Sequence, residues 1–355
     1  MILYAPSTSV QYRDYGIMLP IEASRAQRII NFLEEKPRTS GCPIYSFDEA
    51  VRLLQDSHIS ITRSDVARVH SPEYAEQLYR EGPEGLSAAL MKAYELIDES
   101  GNYNRFCPEK AVLPLSSLFE KILLQTEGTY LACRLALSGS GEMGYRGFCY
   151  YLGGGMHHAY YDGGTGFCPI NDILIAACRI QEEDRAQLIW IIDVDAHKGD
   201  GTAELVAFRR TIDRQKNIFT LSVHMAEGWP LDHDTLARAQ EGRAPLVPSD
   251  IDIPVAGGEE ELYISRLADG LAGLEQLSGN IIPDLAIVVD GADPYIGDGL
   301  PSSALLGLTL EQCLQRDKLI FRYLQERNIP SAWLMAGGYG DKAWEPTARF
   351  LNSLI

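Results

Sequence analysis

The stretch Leu188–Gly201, LIWIIDVDAHKGDG, decides the fold. Leu188–Val194 is apolar apart from Asp193, and it is rich in β-branched and aromatic side chains. A run that is apolar throughout, rather than alternating, suits a parallel strand buried on both faces. Asp193, Asp195 and His197 stand at i, i+2 and i+4, so a strand continuing that far would point all three to one face. Two carboxylates and an imidazole at a buried strand end are costly without a cation to offset the negative charge. A mixed oxygen and nitrogen set of this kind suits a divalent metal, zinc above all. The competing reading, a polar surface edge, is disfavoured by the apolar run before it. Asp200 follows between two glycines, where an aspartate is commonly turn chemistry.

Outward from this segment, similar apolar runs predict strands at Met1–Tyr4, Phe148–Leu152, Ile218–Val223, Leu285–Val289 and Ala332–Ala336. Helical patterns lie between them at Ile21–Glu35, Ser117–Leu137, Asp172–Gln181, Glu260–Leu277 and Thr309–Glu326. Thr309 with Gln312 three residues on forms a capping-box signal. Strands alternating with helices predict an α/β fold, three layers with a mostly parallel central sheet. No linker-like boundary or repeat divides the 355 residues, so one domain, 1–355, is expected. In such sheets ligands bind beyond the carboxyl ends of the strands. Asp98–Ala111, Ser138–Gly147 and His224–Gly258 read as long irregular segments, of a length often found in lids and binding loops.

Three further strand ends carry chemistry. Tyr151–Asp172, YLGGGMHHAYYDGGTGFCPIND, follows a strand with three glycines and then His157 and His158. These histidines are open to three roles: metal ligands, proton-transfer groups or loop residues. Leu285–Leu300, LAIVVDGADPYIGDGL, leads into Asp290, Asp293 and Asp298. Asp293 would complete a metal site, with an Asx turn as the competing account. Trp333–Gly340, WLMAGGYG, offers Tyr339, whose hydroxyl would serve a reacting carbonyl or simply pack in a turn. Taken together, these ends fit a metal-assisted hydrolase with ligands, a base and an oxyanion donor.

Composition narrows the class. Acidic residues number 49 against 31 basic ones, a net charge of −18, which argues against a nucleic-acid partner. No apolar run approaches the ~18–20 residues of a membrane-spanning helix, so no membrane partner is expected. The seven cysteines are scattered without a CxxC pair, and no signal peptide is visible, so the cytoplasm is the expected compartment.

In family order, the pieces GGGMHHA (Gly153–Ala159), GTGFCPIND (Gly164–Asp172), DVDAHKGDG (Asp193–Gly201), LSVH (Leu221–His224), GADPYIGD (Gly291–Asp298) and AGGYG (Ala336–Gly340) resemble the histone deacetylase superfamily, whose fold is shared with arginase. QTEGTYLACRLAL (Gln125–Leu137), RDKLIF (Arg316–Phe321) and the alanine before His197 resemble its class IV branch. The resemblance implies one catalytic zinc held by Asp195, His197 and Asp293. It implies that His157 and His158 are tandem catalytic histidines, His158 the general base and then acid, backed by Asp193 and Asp200 respectively. Tyr339 would polarise the acyl carbonyl, and Gly166 and Phe167 would line an acyl-lysine tunnel. A structural potassium ion would be bound by Asp193, Ser222 and the backbone of Asp195, His197 and Val223. Spacing alone made Asp193 as good a zinc ligand as Asp195; the resemblance assigns it instead to orienting a histidine.

The implied reaction is hydrolysis of acyl-lysine, acetyl or longer, to lysine and a carboxylate. The alternatives are deacetylation of small amines such as acetylpolyamines and, from a different class, a catalytically inactive binding module. The sequence departs from the family pattern at several points, among them Gly-Gly-Gly-Met before the histidine pair in place of a bulkier aromatic. Met18-Leu19-Pro20 stands near the usual His-Pro element, Lys198 replaces a common histidine, and the loop after Val223 offers only Trp229 as a tunnel wall or an exposed anchor.

Overall fold

The computed structural model describes all residues except 36–42, 56–57, 83, 99, 140–146, 214–216, 233–237, 239–241, 244 and 355. Cys42, most of the Ser138–Gly147 segment and part of His224–Gly258 therefore lie outside the described residues. Eight strands form one sheet: β1 (Ile2–Leu3), β2 (Ile44–Tyr45), β3 (Phe148–Tyr151), β4 (Ile189–Asp193), β5 (Ile218–Met225), β6 (Ile251–Val255), β7 (Leu285–Val289) and β8 (Ser331–Leu334). Their order is β2-β1-β3-β8-β7-β4-β5-β6, and every pairing is parallel.

Alternate residues of the strands feed two separate cores, as the two-residue period requires. Ile189, Ile191, Ile287 and Leu334 pack on one face with the helices Leu118–Leu137 and Asp172–Glu182. Trp190, Ile192, Val288 and Trp333 pack on the other with Arg25–Glu34, Tyr263–Leu277, Leu310–Glu326 and Glu345–Asn352. The three-layer α/β architecture follows from this double burial. Thr309 caps its helix through the reciprocal bonds with Gln312 that the sequence signalled.

The four motif-bearing strands, β3, β8, β7 and β4, are neighbours at the centre of the sheet. Their carboxyl ends thus lie side by side, which is what gathers four short motifs into one place.

Two expectations are corrected. His224–Gly258 is not irregular throughout: His224 and Met225 finish β5, and Ile251–Val255 forms β6. This edge strand escapes a search for apolar runs because Asp252 and Pro254 interrupt it, and an edge is where a proline is tolerated. Asp200 is the first residue of the helix Asp200–Asp213, not part of a free turn. The flanking glycines disguised a helix start where an acidic residue favours the N-terminal dipole.

Candidate active site

β4 stops at Asp193, so the strand alternation expected to align Asp193, Asp195 and His197 does not do so. The chain bends instead. The Asp195 N–H donates to Asp193 Oδ1 at 3.1 Å, and the His197 N–H donates to Asp195 Oδ1 at 3.0 Å. These local bonds turn Asp195 and His197 toward the end of β7, where the Ala196 N–H donates to Asp293 Oδ1 at 3.0 Å. Asp195, His197 and Asp293 each bring one ligand atom within 4.8 Å of the others, and all three are buried. His197 Nδ1 lies 2.9 Å from Asp293 Oδ2 and 3.3 Å from Asp195 Oδ1. Gly337, beyond β8, closes the site from the side. Its N–H donates to Asp195 Oδ2 at 2.9 Å, and a Cβ there would fall 2.3 Å from that oxygen. Only glycine lets the backbone approach so closely.

The electrostatics of the trio call for a cation. Burial opposes charge on His197, yet Asp195 and Asp293 push it up to about 10. Burial, with the charge of Asp195, pushes Asp293 up to about 7. Burial also works against ionisation of Asp195, but His157 and His197 hold it well below the usual carboxylate range. An ionised Asp195 beside Asp293 and His197, which both hold their protons more tightly than usual, forms a donor set that a dication would stabilise, displacing those protons. The oxygen and nitrogen donors suit zinc.

His157 and His158 follow β3. Gly154 and Gly155 take φ of 76° and 86°, left-handed values that favour glycine, and the N–H groups of Gly155 and Met156 donate to buried Asp172 at 3.0 and 2.6 Å. The chain is thereby turned so that both adjacent imidazoles face the site, their centroids 3.9 Å apart. His157 Nδ1 donates to Asp193 Oδ2 at 2.7 Å, and its Nε2 lies 3.7 Å from Asp195 Oδ1. His158 Nδ1 donates to Asp200 Oδ1 at 2.8 Å. Trp229 stands edge-on to His158, 4.5 Å between centroids, and lies against Gly166. Phe167 meets Tyr339 edge-on at 6.4 Å. Tyr339 lines the same pocket as His157, His158 and Asp195. Burial pushes its hydroxyl well up, with Asp293 and Asp195 adding to the effect, so it stays a protonated donor. Its N–H donates to Asp298 Oδ2 at 2.6 Å.

Ser222 pairs with Asp193 in the β4–β5 register. Its Oγ is buried and has no hydrogen-bond partner among the described residues. An orphaned hydroxyl beside a carboxylate is a fit for a monovalent cation. Val223, next along β5, is fully buried.

Two groups of residues were not anticipated. Arg25 is buried, and its Nη1 donates to the carbonyls of Ala336 at 2.7 Å and Gly337 at 3.1 Å, fixing the turn that carries Tyr339. The signal was present: Arg25 shares a helical stripe with Ile29 and Leu33, an inward position no solvated arginine would take. Arg243 and Arg238 both reach Asp200 Oδ2, Arg238 at 3.5 Å. They come from the long segment after β5, and nothing in their local pattern marks them.

Comparison with known proteins gives a consistent result. The histone deacetylase domain, as a family, matches residues 19–353. The chain is 32% identical to an uncharacterised protein of Picosynechococcus sp. over 228 residues, 64% of this chain and 66% of that protein. It is 26% identical to histone deacetylase 2 of Arabidopsis thaliana over 338 residues, 95% of this chain and 74% of that one. In structure it is similar to an acetylpolyamine aminohydrolase from Burkholderia pseudomallei, with a TM-score of 0.63 and 19% identity, over 99% of this chain and 97% of the other. That likeness carries the fold alone.

Proposed function

The chain belongs to the histone deacetylase family, and from that premise we propose that it hydrolyses the side-chain amide of acyl-lysine, acetyl or longer, to free lysine and a carboxylate. Its place among hydrolases of acetylated substrates comes from the family. The observation that carries the finer reading is the meeting, in one buried pocket, of a three-residue metal set with two aspartate-backed histidines.

Asp195, His197 and Asp293 would hold the zinc, which when bound supplies a Lewis acid for the carbonyl and lowers the pKa of water. Burial and the charge on His157 hold His158 down to about 3, outweighing the pull of Asp200. His158 is therefore neutral, with Nδ1 tied to Asp200 and Nε2 free to take the proton of the attacking water. The same nitrogen then returns the proton to the leaving lysine amine. His157, pushed up to about 9 by Asp193 and Asp195 against its burial, stays positive beside the developing negative charge. The Tyr339 hydroxyl donates to the oxyanion. Asp193 and Ser222, with the backbone of Asp195, His197 and Val223, would hold a structural potassium ion.

Substrate choice rests on the mouth, lined by Glu95, Arg105, Phe167, Trp229, Leu300, Ser302 and Tyr339. Its one carboxylate among these described residues, Glu95, is engaged by Arg105. An acetylpolyamine carries further ammonium groups that need a free carboxylate, whereas an acyl-lysine side chain does not. The test is a panel of acyl-lysine peptides of increasing chain length beside acetylpolyamines, each with and without chelator. We expect chelator-sensitive turnover of the peptides, exceeding that of the polyamines. Preference for polyamines would overturn the substrate reading, and turnover untouched by metal removal would overturn the zinc reading.

A further inference from the structure

Outside the pocket, Arg316, on the helix Leu310–Glu326, is a buried side chain whose bonds reach the strands that carry the site. It is 1% exposed, and all three of its guanidinium nitrogens are engaged. Nη1 donates to the carbonyls of Val194 at 3.0 Å and Gly291 at 2.8 Å. Nη2 donates to Asp290 Oδ1 at 2.6 Å, and Nε donates to Asp317 Oδ1 at 2.7 Å. Val194 is joined by a peptide bond to Asp195, and Gly291 is two residues before Asp293. One planar group thus grips the carboxyl ends of both β4 and β7, the strands from which all three candidate zinc ligands hang. The grip extends to β3, because the Tyr150 hydroxyl donates to the other oxygen of Asp290 at 2.6 Å.

We propose that Arg316 is a positioning residue for the metal: it sets the separation of the Asp195–His197 bend from Asp293 and so fixes the affinity of the site for zinc. The inference rests on the zinc reading above. The physical reason for arginine is its shape. A flat fork presents donors in fixed directions to two carbonyls and two carboxylates at once, which the point charge of lysine cannot reproduce. The ligands stand on bends beyond the paired strands, tied by the Ala196–Asp293 and Gly337–Asp195 bonds, and Arg316 adds a grip on the backbone of both strand ends from which those bends leave. Outer groups that orient metal ligands typically carry about 10–100-fold in affinity.

The test is competitive titration of metal-free full-length protein with a zinc chelator indicator, alongside thermal unfolding. Wild type should bind zinc tightly; if it does not, the zinc reading itself fails and Arg316 is not at issue. Arg316→Lys, folded by circular dichroism, should bind zinc about 10–100-fold more weakly. Leu324→Ala, a core truncation on the same helix, controls for stability: it should lower the melting temperature and leave zinc affinity within twofold of wild type. Unchanged zinc affinity in Arg316→Lys overturns the proposal, as does an equal loss in Leu324→Ala. Should Arg316→Lys not fold, Asp317→Asn decides. It keeps the guanidinium but replaces the carboxyl partner of Nε by an amide, and a loss of at least threefold in zinc affinity is expected; no loss overturns the proposal.

Discussion

The neighbouring histidines His157 and His158 form two pairs of the same composition that end in opposite states. Each sends Nδ1 to an aspartate, at 2.7 Å for Asp193 and 2.8 Å for Asp200, and each is less than 5% exposed. Yet His157 is pushed up to about 9 and His158 is held down to about 3. Burial penalises the charged form of both, so burial does not separate them. The other partners of the carboxylates do. His157 has a second aspartate, Asp195, beside its Nε2, and no arginine reaches Asp193 among the described residues. Asp200 is held by Arg243 and Arg238, and His158 also lies against the charge of His157. A hydrogen-bonded carboxylate orients an imidazole in either case; what else that carboxylate touches decides whether the imidazole carries a proton.

The largest expected effect comes from breaking the pairs one at a time. His158→Ala should lower turnover by about 10²–10⁴-fold, the usual worth of a general base. His157→Ala removes a charged neighbour of Asp195 rather than the proposed base, and its loss should be about 10–100-fold, in the range for groups that act through a metal ligand. Both are measured as kcat on an acyl-lysine peptide at saturating zinc, with bound metal determined in parallel. Equal losses in the two variants would erase the distinction drawn between them.

A smaller effect isolates the arginines. Arg243→Gln leaves His158 and Asp200 in place but takes a charged partner from Asp200. Hydrogen bonds to charged groups are worth about 1.5–3 kcal/mol, and partial loss of one corresponds to about tenfold in turnover. Zinc content should not change, and Arg243→Lys should recover most of the activity. Wild-type turnover in the glutamine variant would show that Asp200 orients His158 without help.

These arginines also mark the limit of what the sequence discloses. The central strands were legible because double burial makes them apolar throughout, as in Ile189–Asp193 and Leu285–Val289. Candidate metal ligands were legible because they follow such runs, but the choice of Asp195, His197 and Asp293 came from the family resemblance. What escaped falls into two kinds. β6 and the short helix Phe47–Leu54 lack long apolar runs, although the latter carries a capping box at Ser46 and Glu49. Arg25, Arg243 and Arg316 act across 311, 43 and 122 residues of chain respectively, on Ala336, Asp200 and Val194. No local pattern encodes a contact of that separation; it exists only once the sheet has brought its strand ends together. Asp193 shows the converse. Spacing offered it as a ligand equal to Asp195, but β4 ends there and its carboxylate turns to His157.

His70 supplies the control for the comparison, a buried histidine with no carboxylate hydrogen-bonded to it among the described residues. It is 1% exposed; its Nδ1 donates to the Tyr160 carbonyl at 2.8 Å, and its Nε2 accepts the Asn171 N–H at 3.0 Å. The bond accepted by Nε2 requires the neutral ring, and burial pulls its pKa from 6.5 down to about 4 against the pull of the Tyr160 carbonyl. The sign follows from proton counts. Between pH 6.5 and about 4 the unfolded chain binds a proton that the folded chain refuses, so stability is complete above pH 6.5 and falls as the pH is lowered through that window. A shift of this size corresponds to at most about 3 kcal/mol. His70→Gln should lower stability at pH 7.5, because the amide fits the two bonds less well, and should flatten the decline between pH 7 and 5 relative to wild type. Urea midpoints at the two pH values measure both. If the decline is as steep without His70 as with it, the acid sensitivity belongs to His157, His158 and their aspartates, and His70 has no bearing on it.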